Sequence, residues 1–410
     1  MAALADPPRA AAPVHGVLLD TDVAVVGGGV IGCAIAYYLA HSGARVAILE
    51  RAVVGAGASS VNSGVISLAT KKPGLALDLA QASQHLYADL GRELDADLEY
   101  VADGGMVIAE TETEAAYLEE MAVAQQAAGV PLRILTPAEC RALNPLLEAR
   151  VLTAGYCPTD AQANPFKVTQ AFARAAQARG AEILTGLAVQ GIETTGDRVT
   201  GVRTSRGLVR ARWVVNAAGA HANDIGSMVG VAHDIVPRRG QMIVLEAADA
   251  MPAMRVGSAG SLLAKHKGTA GSINAAFAYT SKPLSGTVLL GGTNEFAGFD
   301  TRTTREALAE ISRLAVRAMP QLGRLQAIRA WAGLRPYSPK GVSLGHAGGP
   351  RGYAVAIGHG GDGVALSPVT GVYLAEHIAR DGEDAGLPAF LAARRTVYAT
   401  AEVGASVITR

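Results

Sequence analysis

At 410 residues the chain is longer than one ordinary domain and short for three; half its residues are hydrophobic and only 18% charged, which excludes a mainly disordered protein. Thirty-six Lys and Arg balance 36 Asp and Glu, so no global basic field exists to draw nucleic acid or an anionic membrane. Three widely spaced cysteines, Cys33, Cys140 and Cys157, with no C-x-x-C pair, argue against a disulfide framework or a zinc site and fit a reducing cytoplasm.

Residues 1–20 are Ala- and Pro-rich without an uninterrupted apolar segment, and are expected to form a loose tail rather than a signal or a membrane span. No later run reaches the roughly 18 apolar residues of a transmembrane helix, so any membrane contact is expected to come through a partner. Residues 22–26 predict a buried parallel strand; glycines follow, then a helical pattern over 30–39, a break at Ser42-Gly43, and a second apolar strand over 45–50. Together these make a βαβ unit. Helical periodicity returns over 75–94 and 112–128, separated by Gly104-Gly105 and a strand-like 106–109. A helix over 164–178 leads into a strand-and-turn series at 182–184, 199–204, 207–210 and 213–216. Between about 231 and 298, strand-like runs such as 242–245 and 287–290 alternate with Gly, Ser and Pro turns, as in an antiparallel sheet. A helix over 303–319, a strand over 353–357, a Gly-rich loop at 359–363 and a final helix over 368–379, with Pro368 in its first turn, complete the pattern.

Gly27-Gly28-Gly29-Val30-Ile31-Gly32 sets glycines in G-x-G-x-x-G spacing after a predicted strand and at the start of a helix. Gly27 permits the tight turn, Gly29 lets backbone N–H groups at Val30 and Ile31 approach a pyrophosphate, and Gly32 allows the helix to pack on the sheet. Glu50, eighteen positions after Gly32 with Arg51 beside it, ends the second strand where a carboxylate accepts hydrogen bonds from ribose hydroxyls. A free 2′-hydroxyl is implied, which admits FAD or NAD and disfavours NADP. The expected architecture is α/β plus antiparallel β: a Rossmann-like domain from residues 21–75, 150–230 and 325–385, with an inserted substrate domain from 76–149 and 231–324. Residues 386–410 are expected to form a C-terminal helical extension.

Four segments carry a family resemblance: VAVVGGGVIGCAIAYYLAHSGARVAILER (23–51), VVNAAGAHA (214–222), WAGLRPYSPKG (331–341) and GHGGDGVALSP (358–368). In this order they resemble the D-amino acid oxidase and glycine/sarcosine oxidase family of flavoproteins. The resemblance implies FAD. It further implies that Val189 meets the adenine through its backbone, that Ala217, Ala218 and Gly219 form a small-residue turn against the cofactor, and that Ser59, Ser60, Asn62, Ser63 and Gly64 line the pyrophosphate and flavin. The loop Gly358, Gly360, Gly361, Asp362, Gly363 and Val364 falls, by the same resemblance, at the pyrimidine edge of the flavin. There the positive end of a helix stabilises negative charge as hydride arrives.

Arg335 matches the arginine that grips the substrate carboxylate in amino-acid-oxidising members, and the guanidinium fork suits that task. No general base is evident; desolvation beside a cation favours the neutral amine from which hydride leaves. His359 either contacts the flavin or caps the loop, and His266, with Lys265 and Lys267, either faces the flavin or forms a solvated basic turn. Met242 and Tyr279 are candidate pocket walls, and Arg239-Gly240-Gln241 is expected to be structural. Sarcosine oxidases tether flavin to a cysteine near the segment matching 331–337; none lies there, so FAD is expected to bind non-covalently.

Residues 62–67 and 358–368 look most like the catalytic beta subunits of opine dehydrogenases, hydrogen cyanide synthase and D-hydroxyproline dehydrogenase. That resemblance implies alpha or gamma electron-transfer subunits carrying FMN or an iron–sulfur cluster, since this chain has too few cysteines for one. The setting is then cytoplasmic, peripheral to the inner membrane if a partner brings it there. A stand-alone oxidase releasing hydrogen peroxide is the alternative, and a flavin-binding subunit without turnover is a further one. A flavin reductase would show a second complete glycine motif, which is absent.

Overall fold

The computed structural model describes residues 16–247, 252, 254–267, 274–281 and 286–400. Strand Val23–Val26 is buried along its whole length, as an unbroken apolar run requires, and pairs in parallel with Val46–Leu49 and Trp213–Asn216. Glu182–Leu184 and Tyr353–Ile357 extend this sheet in parallel and Ser343–Gly345 closes it antiparallel, giving six strands. The Val30–His41 helix lies between helices Pro165–Ala178 and Gly363–Ala379. Eleven of its twelve residues are buried, which explains why it is apolar all round rather than on one stripe.

The helix expected to begin at Pro368 starts at Gly363, five residues earlier, so Pro368 sits inside it. Proline leaves the carbonyl four residues back without its helical donor. Here that carbonyl, on Val364, accepts from Tyr87 Oη at 2.6 Å and Ser367 Oγ at 2.9 Å, so the helix continues past the proline.

A second sheet of eight strands runs in the order Ala327–Tyr337, Val236–Ala247, Thr287–Asn294, Asn274–Ser281, Arg255–Ser258, Gly105–Ala109, Thr153–Cys157, Arg133–Leu135. All of its pairings are antiparallel except that of Arg255–Ser258 with Gly105–Ala109. One face carries Met106, Ile243, Val256, Tyr279 and Leu290 into a core shared with helix Arg305–Ala318. The other face turns toward the first sheet: a Cβ on Gly333 would strike Val61 Cγ2 at 2.0 Å.

Several expected boundaries move. Thr153–Cys157 and Ala327–Tyr337, assigned to the cofactor half, pair within the eight-stranded sheet, whereas helix Leu75–Glu93, assigned to the inserted half, packs on Gly363–Ala379. The tail expected through residue 20 ends earlier, because Val17–Asp20 forms a strand parallel to Gly207–Arg210. Residues 1–15 of that tail and 401–410 of the expected extension lie outside the described residues; the extension's helix spans Gly386–Thr400. Among the described residues, no helix is long and apolar enough to cross a membrane.

Candidate active site

A cavity of about 520 Å³ runs along the carboxyl ends of the parallel strands, where open α/β sheets take their ligands. At one end Glu50 lines it together with Leu187, Ala188 and Val189. Its carboxylate is aimed by two backbone donors, Gly28 N–H to Oε2 and Ala52 N–H to Oε1, each at 2.7 Å. A carboxylate so held keeps lone pairs for further donors. Arg51 also lines this end and lies 2.7 Å from Nε2 of His221, whose Nδ1 faces Asp224 Oδ2 at 3.1 Å.

Gly27, Gly29, Val30 and Ile31 form the middle wall, with Ala217, Ala218 and Gly219 opposite. Gly27 has φ +112, and a Cβ there would meet Ala217 O at 2.5 Å. Gly32 lies behind the wall, where a Cβ would sit 2.0 Å from Gly27 O, so it is a packing residue and not a lining one. The Val30–His41 helix has no side-chain cap at Gly29; instead Ser59 Oγ accepts from the Val30 N–H at 3.0 Å. Ser59 and Asn62 line the cavity, whereas Ser60, Ser63 and Gly64 do not. Gly64 makes a left-handed turn against Ala163 O, and its N–H donates to Asn62 Oδ1 at 2.6 Å. Asn62 Nδ2 in turn donates to Gly361 O at 3.2 Å, tying this turn to the C-terminal loop.

At the far end lie Gly360, Gly363, Val364 and His359, with Gly333, Leu334 and Pro336 across from them. Gly358, Gly361 and Asp362 stand behind this rim. The Gly363–Ala379 helix begins here without a side-chain cap, so its first backbone N–H groups face the cavity end. His359 is buried, and burial pushes its imidazole down to about 4. Its Nε2 is 3.0 Å from Thr370 Oγ1, so the neutral ring anchors the loop to the helix behind it. These features fit a dinucleotide with an extended second ring system: an acidic end, a glycine cradle without Cβ atoms in the middle, and a dipole-bearing end. None of the three cysteines lines the cavity, and all three are buried.

Arg335 stands at the far end on the site-facing side of the eight-stranded sheet. The strand register pairs it with Arg238, and its guanidinium lies over Gly240, where a Cβ would approach Nη1 to 2.0 Å. It donates to Thr293 O at 2.7 Å and passes close to Gly361. Burial first, and the Arg238 charge second, pull its guanidinium down to about 10, which leaves it cationic at neutral pH. Met242 and Trp331 share this face, where Met242 packs with Val244, Leu289 and Trp331 and does not line the cavity.

Two expected substrate-side residues sit elsewhere. Tyr279 is fully buried in the core on the opposite face and donates to Pro252 O at 2.7 Å; strand alternation gives the site-facing position to Ala278 instead. His266 lies on helix Ala259–Lys267, not in a basic turn, and its Nδ1 is hydrogen-bonded to Tyr117 Oη. The side chains of Lys265 and Lys267 lie outside the described residues. Arg239 is structural as expected: it is buried with Glu295 at 2.6 Å and Asp300 at 2.9 Å, on the face away from Arg335.

Other polar residues were not anticipated. Lys71 is buried and pairs with Asp362 at 2.9 Å. Asp160, also buried, accepts from Ser67 Oγ at 2.5 Å and from the Leu68 N–H at 2.7 Å. Arg238 stacks 4.3 Å over the Tyr337 ring. Arg255 occupies a strand of the same sheet. Only the alternation of Arg238 with Arg239 on a strand pattern was available as a sequence signal for any of these.

Residues 22–377 match the family model described as FAD dependent oxidoreductase, DAO. The chain is 33% identical to a glycine oxidase of Pseudomonas aeruginosa, over 86% of this chain and 93% of that protein. It is 29% identical to hydrogen cyanide synthase subunit HcnC of the same species, over 91% and 96% respectively. Among solved structures it resembles glycine oxidase from Geobacillus kaustophilus with a TM-score of 0.82 at 29% identity, covering 91% of this chain and 98% of the other. The cavity along the parallel strands and the match over most of its length agree: the chain belongs to the DAO family and is an FAD-dependent oxidoreductase.

Proposed function

We propose that this chain oxidises the C–N bond of an amino acid or secondary amine, drawing a hydride from the carbon next to nitrogen. One observation carries the reading: Arg335, half-buried behind the far end of the cavity and beside Gly361, forms no ion pair with any acidic side chain among the described residues. A cation partly withdrawn from water without a counter-charge is destabilised, and a substrate carboxylate supplies that charge in the geometry a guanidinium prefers. Glycine oxidase, a relative named above, supports an amino-acid substrate. FAD, when bound, supplies the hydride acceptor.

The residues of the chain have four tasks in this reading. Arg335 holds the carboxylate and so fixes the adjacent C–H. Arg335 and Arg238 together favour loss of the proton from the substrate nitrogen, whose lone pair then forms C=N as hydride departs. The uncapped start of helix Gly363–Ala379 offers N–H groups to developing negative charge. His359, neutral and bonded to Thr370, steadies that loop rather than carrying a proton.

Electrons then pass either to a partner subunit, the reading that the resemblance to beta subunits supports, or to oxygen, which the likeness to glycine oxidases supports. Anaerobic addition of glycine, sarcosine, D- and L-amino acids, proline derivatives and opines to the FAD-loaded protein tests the substrate class through loss of the yellow absorbance. Reading failure follows if none of them reduces it. Admission of air separates the acceptors: recolouring within seconds marks an oxidase, and recolouring only with an added dye or partner marks a dehydrogenase.

A further inference from the structure

On the site-facing side of the eight-stranded sheet, Gly257, Ala278, Gly291 and Met242 stand directly opposite one another across four strands. Gly240, two residues from Met242, is on the same face, as is Arg255, two residues from Gly257. Side-chain geometry agrees: a Cβ on Gly257 would approach Arg255 Nη2 at 2.9 Å, just as one on Gly240 would overlap Arg335. Small residues therefore make room at both ends of a shallow floor, and a guanidinium lies over each.

Arg255 has no salt bridge among the described residues, and its Nη1 is buried without a hydrogen-bond partner. The acidic groups nearest to it are committed elsewhere. Asp160 accepts from Ser67 Oγ and from the N–H groups of Leu68 and Ala69, and Asp362 pairs with Lys71. Burial pulls the Arg255 guanidinium below its ordinary range, against the pull of Asp160 and Asp362. A buried arginine N–H left unpaired in a folded chain calls for a partner, which water, an ion or a ligand can supply; at Arg255 the side chain also lacks a counter-charge among the described residues.

From this arrangement, and resting on the C–N oxidation reading above, we infer that the substrate carries a second anionic group, a carboxylate, received by Arg255 while Arg335 holds the first. Three strand spacings separate the two floors, roughly 14 Å between backbones, and each arginine reaches inward over its glycine. The two carboxylates thus stand several bonds apart, on a side chain or on a substituent of the nitrogen, and not on one carbon. Arg255 is a specificity-determining residue and takes no part in bond breaking.

The test is a chain-length series of amino dicarboxylates (aspartate, glutamate, 2-aminoadipate, 2-aminopimelate, both enantiomers) beside monocarboxylates of matching length such as norleucine. Wild type is expected to favour the longer dicarboxylates, and Arg255→Met to lower the dicarboxylate-to-monocarboxylate ratio of kcat/KM at least about thirtyfold. Arg255→Lys should restore part of that ratio. Gly257→Ala, which keeps the charge but crowds the fork, should give an intermediate loss. Binding of adipate against hexanoate, followed by the change each makes in the flavin spectrum, provides a readout that needs no turnover. Equal loss for both substrate classes, no discrimination in wild type, or a large fall in the melting temperature of Arg255→Met overturns the inference. Reduction by dicarboxylic and monocarboxylic amines alike, with neither depending on Arg255, sinks this inference alone. Arg255-dependent binding of adipate with no amine reducing the flavin leaves it standing and removes the C–N reading instead.

Discussion

The cavity is built in two different ways along its length. Around Gly27 to Gly32, contacts come from backbone: carbonyls pack where a Cβ would be and N–H groups aim a carboxylate. Around Arg335, contacts come from side chains on strands far apart in sequence, and glycines serve only to clear space for them. A backbone cradle tolerates no substitution and reads a common cofactor, whereas a face of side chains on a small-residue floor changes its ligand by exchanging one arginine. The family's shared cofactor and varied substrates follow from that division.

The sharpest break in the cradle is Gly32→Val. Its Cβ would fall 2.0 Å from Gly27 O, with a helix and a strand both fixed against movement, so the protein is expected to purify colourless and to melt at least about 3 kcal/mol less stable. Gly29→Val should also lose colour, but with a smaller loss of stability, because the nearest atom to its Cβ is Ser59 Oγ at 3.2 Å. Absorbance at the flavin band relative to protein, with a thermal melt, separates the two. Retained flavin in Gly32→Val contradicts the cradle.

On the substrate face, Arg335→Leu should keep its flavin and lose roughly 100- to 1,000-fold in kcat/KM toward carboxylate substrates, the usual cost of removing one partner of a buried charge pair. Gly240→Ala should imitate it without deleting the charge, since the new Cβ would lie 2.0 Å from Arg335 Nη1. Steady-state kinetics on both variants decides this; unchanged kinetics in Gly240→Ala would mean the guanidinium does not rest there during turnover.

The same division explains what was legible in the sequence. The strand, glycine triad, helix, strand and Glu50 are set by short-range spacing, and the predicted strands at 213–216 and 353–357 match the observed Trp213–Asn216 and Tyr353–Ile357. Arg335 was singled out by the family resemblance of residues 331–341. Arg238, Arg255 and Lys71 were not, because their importance depends on which strand lies beside which, and on the face each residue takes after a pairing that spacing does not reveal. Tyr279 was misplaced for that reason: a shift of one position along a strand exchanges site and core. Pro368 misled in a different way, since its early-helix preference was overridden by Tyr87 and Ser367 taking over the Val364 carbonyl.

His359 links the two regions and has a pH signature. Its folded value of about 4 lies below the ordinary 6.5, so the unfolded chain takes up a proton between these values while the folded chain does not. Stability from this residue is complete above pH 6.5 and declines as pH falls toward 4, by about 3 kcal/mol. Melting curves of wild type and His359→Gln over that range should converge at low pH, because the glutamine has no proton to gain. Parallel curves would show that the imidazole is not held neutral.

The smallest effect belongs to Glu50→Gln, and it bears on the cradle's acidic end. Both carboxylate oxygens already accept a backbone N–H, one from Gly28 and one from Ala52. An amide has only one acceptor oxygen, so its NH2 group must oppose one of those donors, leaving a backbone N–H unsatisfied beside the cofactor. The loop carrying Gly28 should loosen by about 1 to 2 kcal/mol and FAD should bind roughly tenfold more weakly, measured by quenching of flavin fluorescence as apoprotein is titrated. Glu50→Asp, which keeps both acceptors but is shorter, should lie between glutamine and wild type. If glutamine binds FAD as tightly as glutamate, Glu50 shapes neither the loop nor the cofactor, and the acidic end must owe its selectivity to the backbone at Val189.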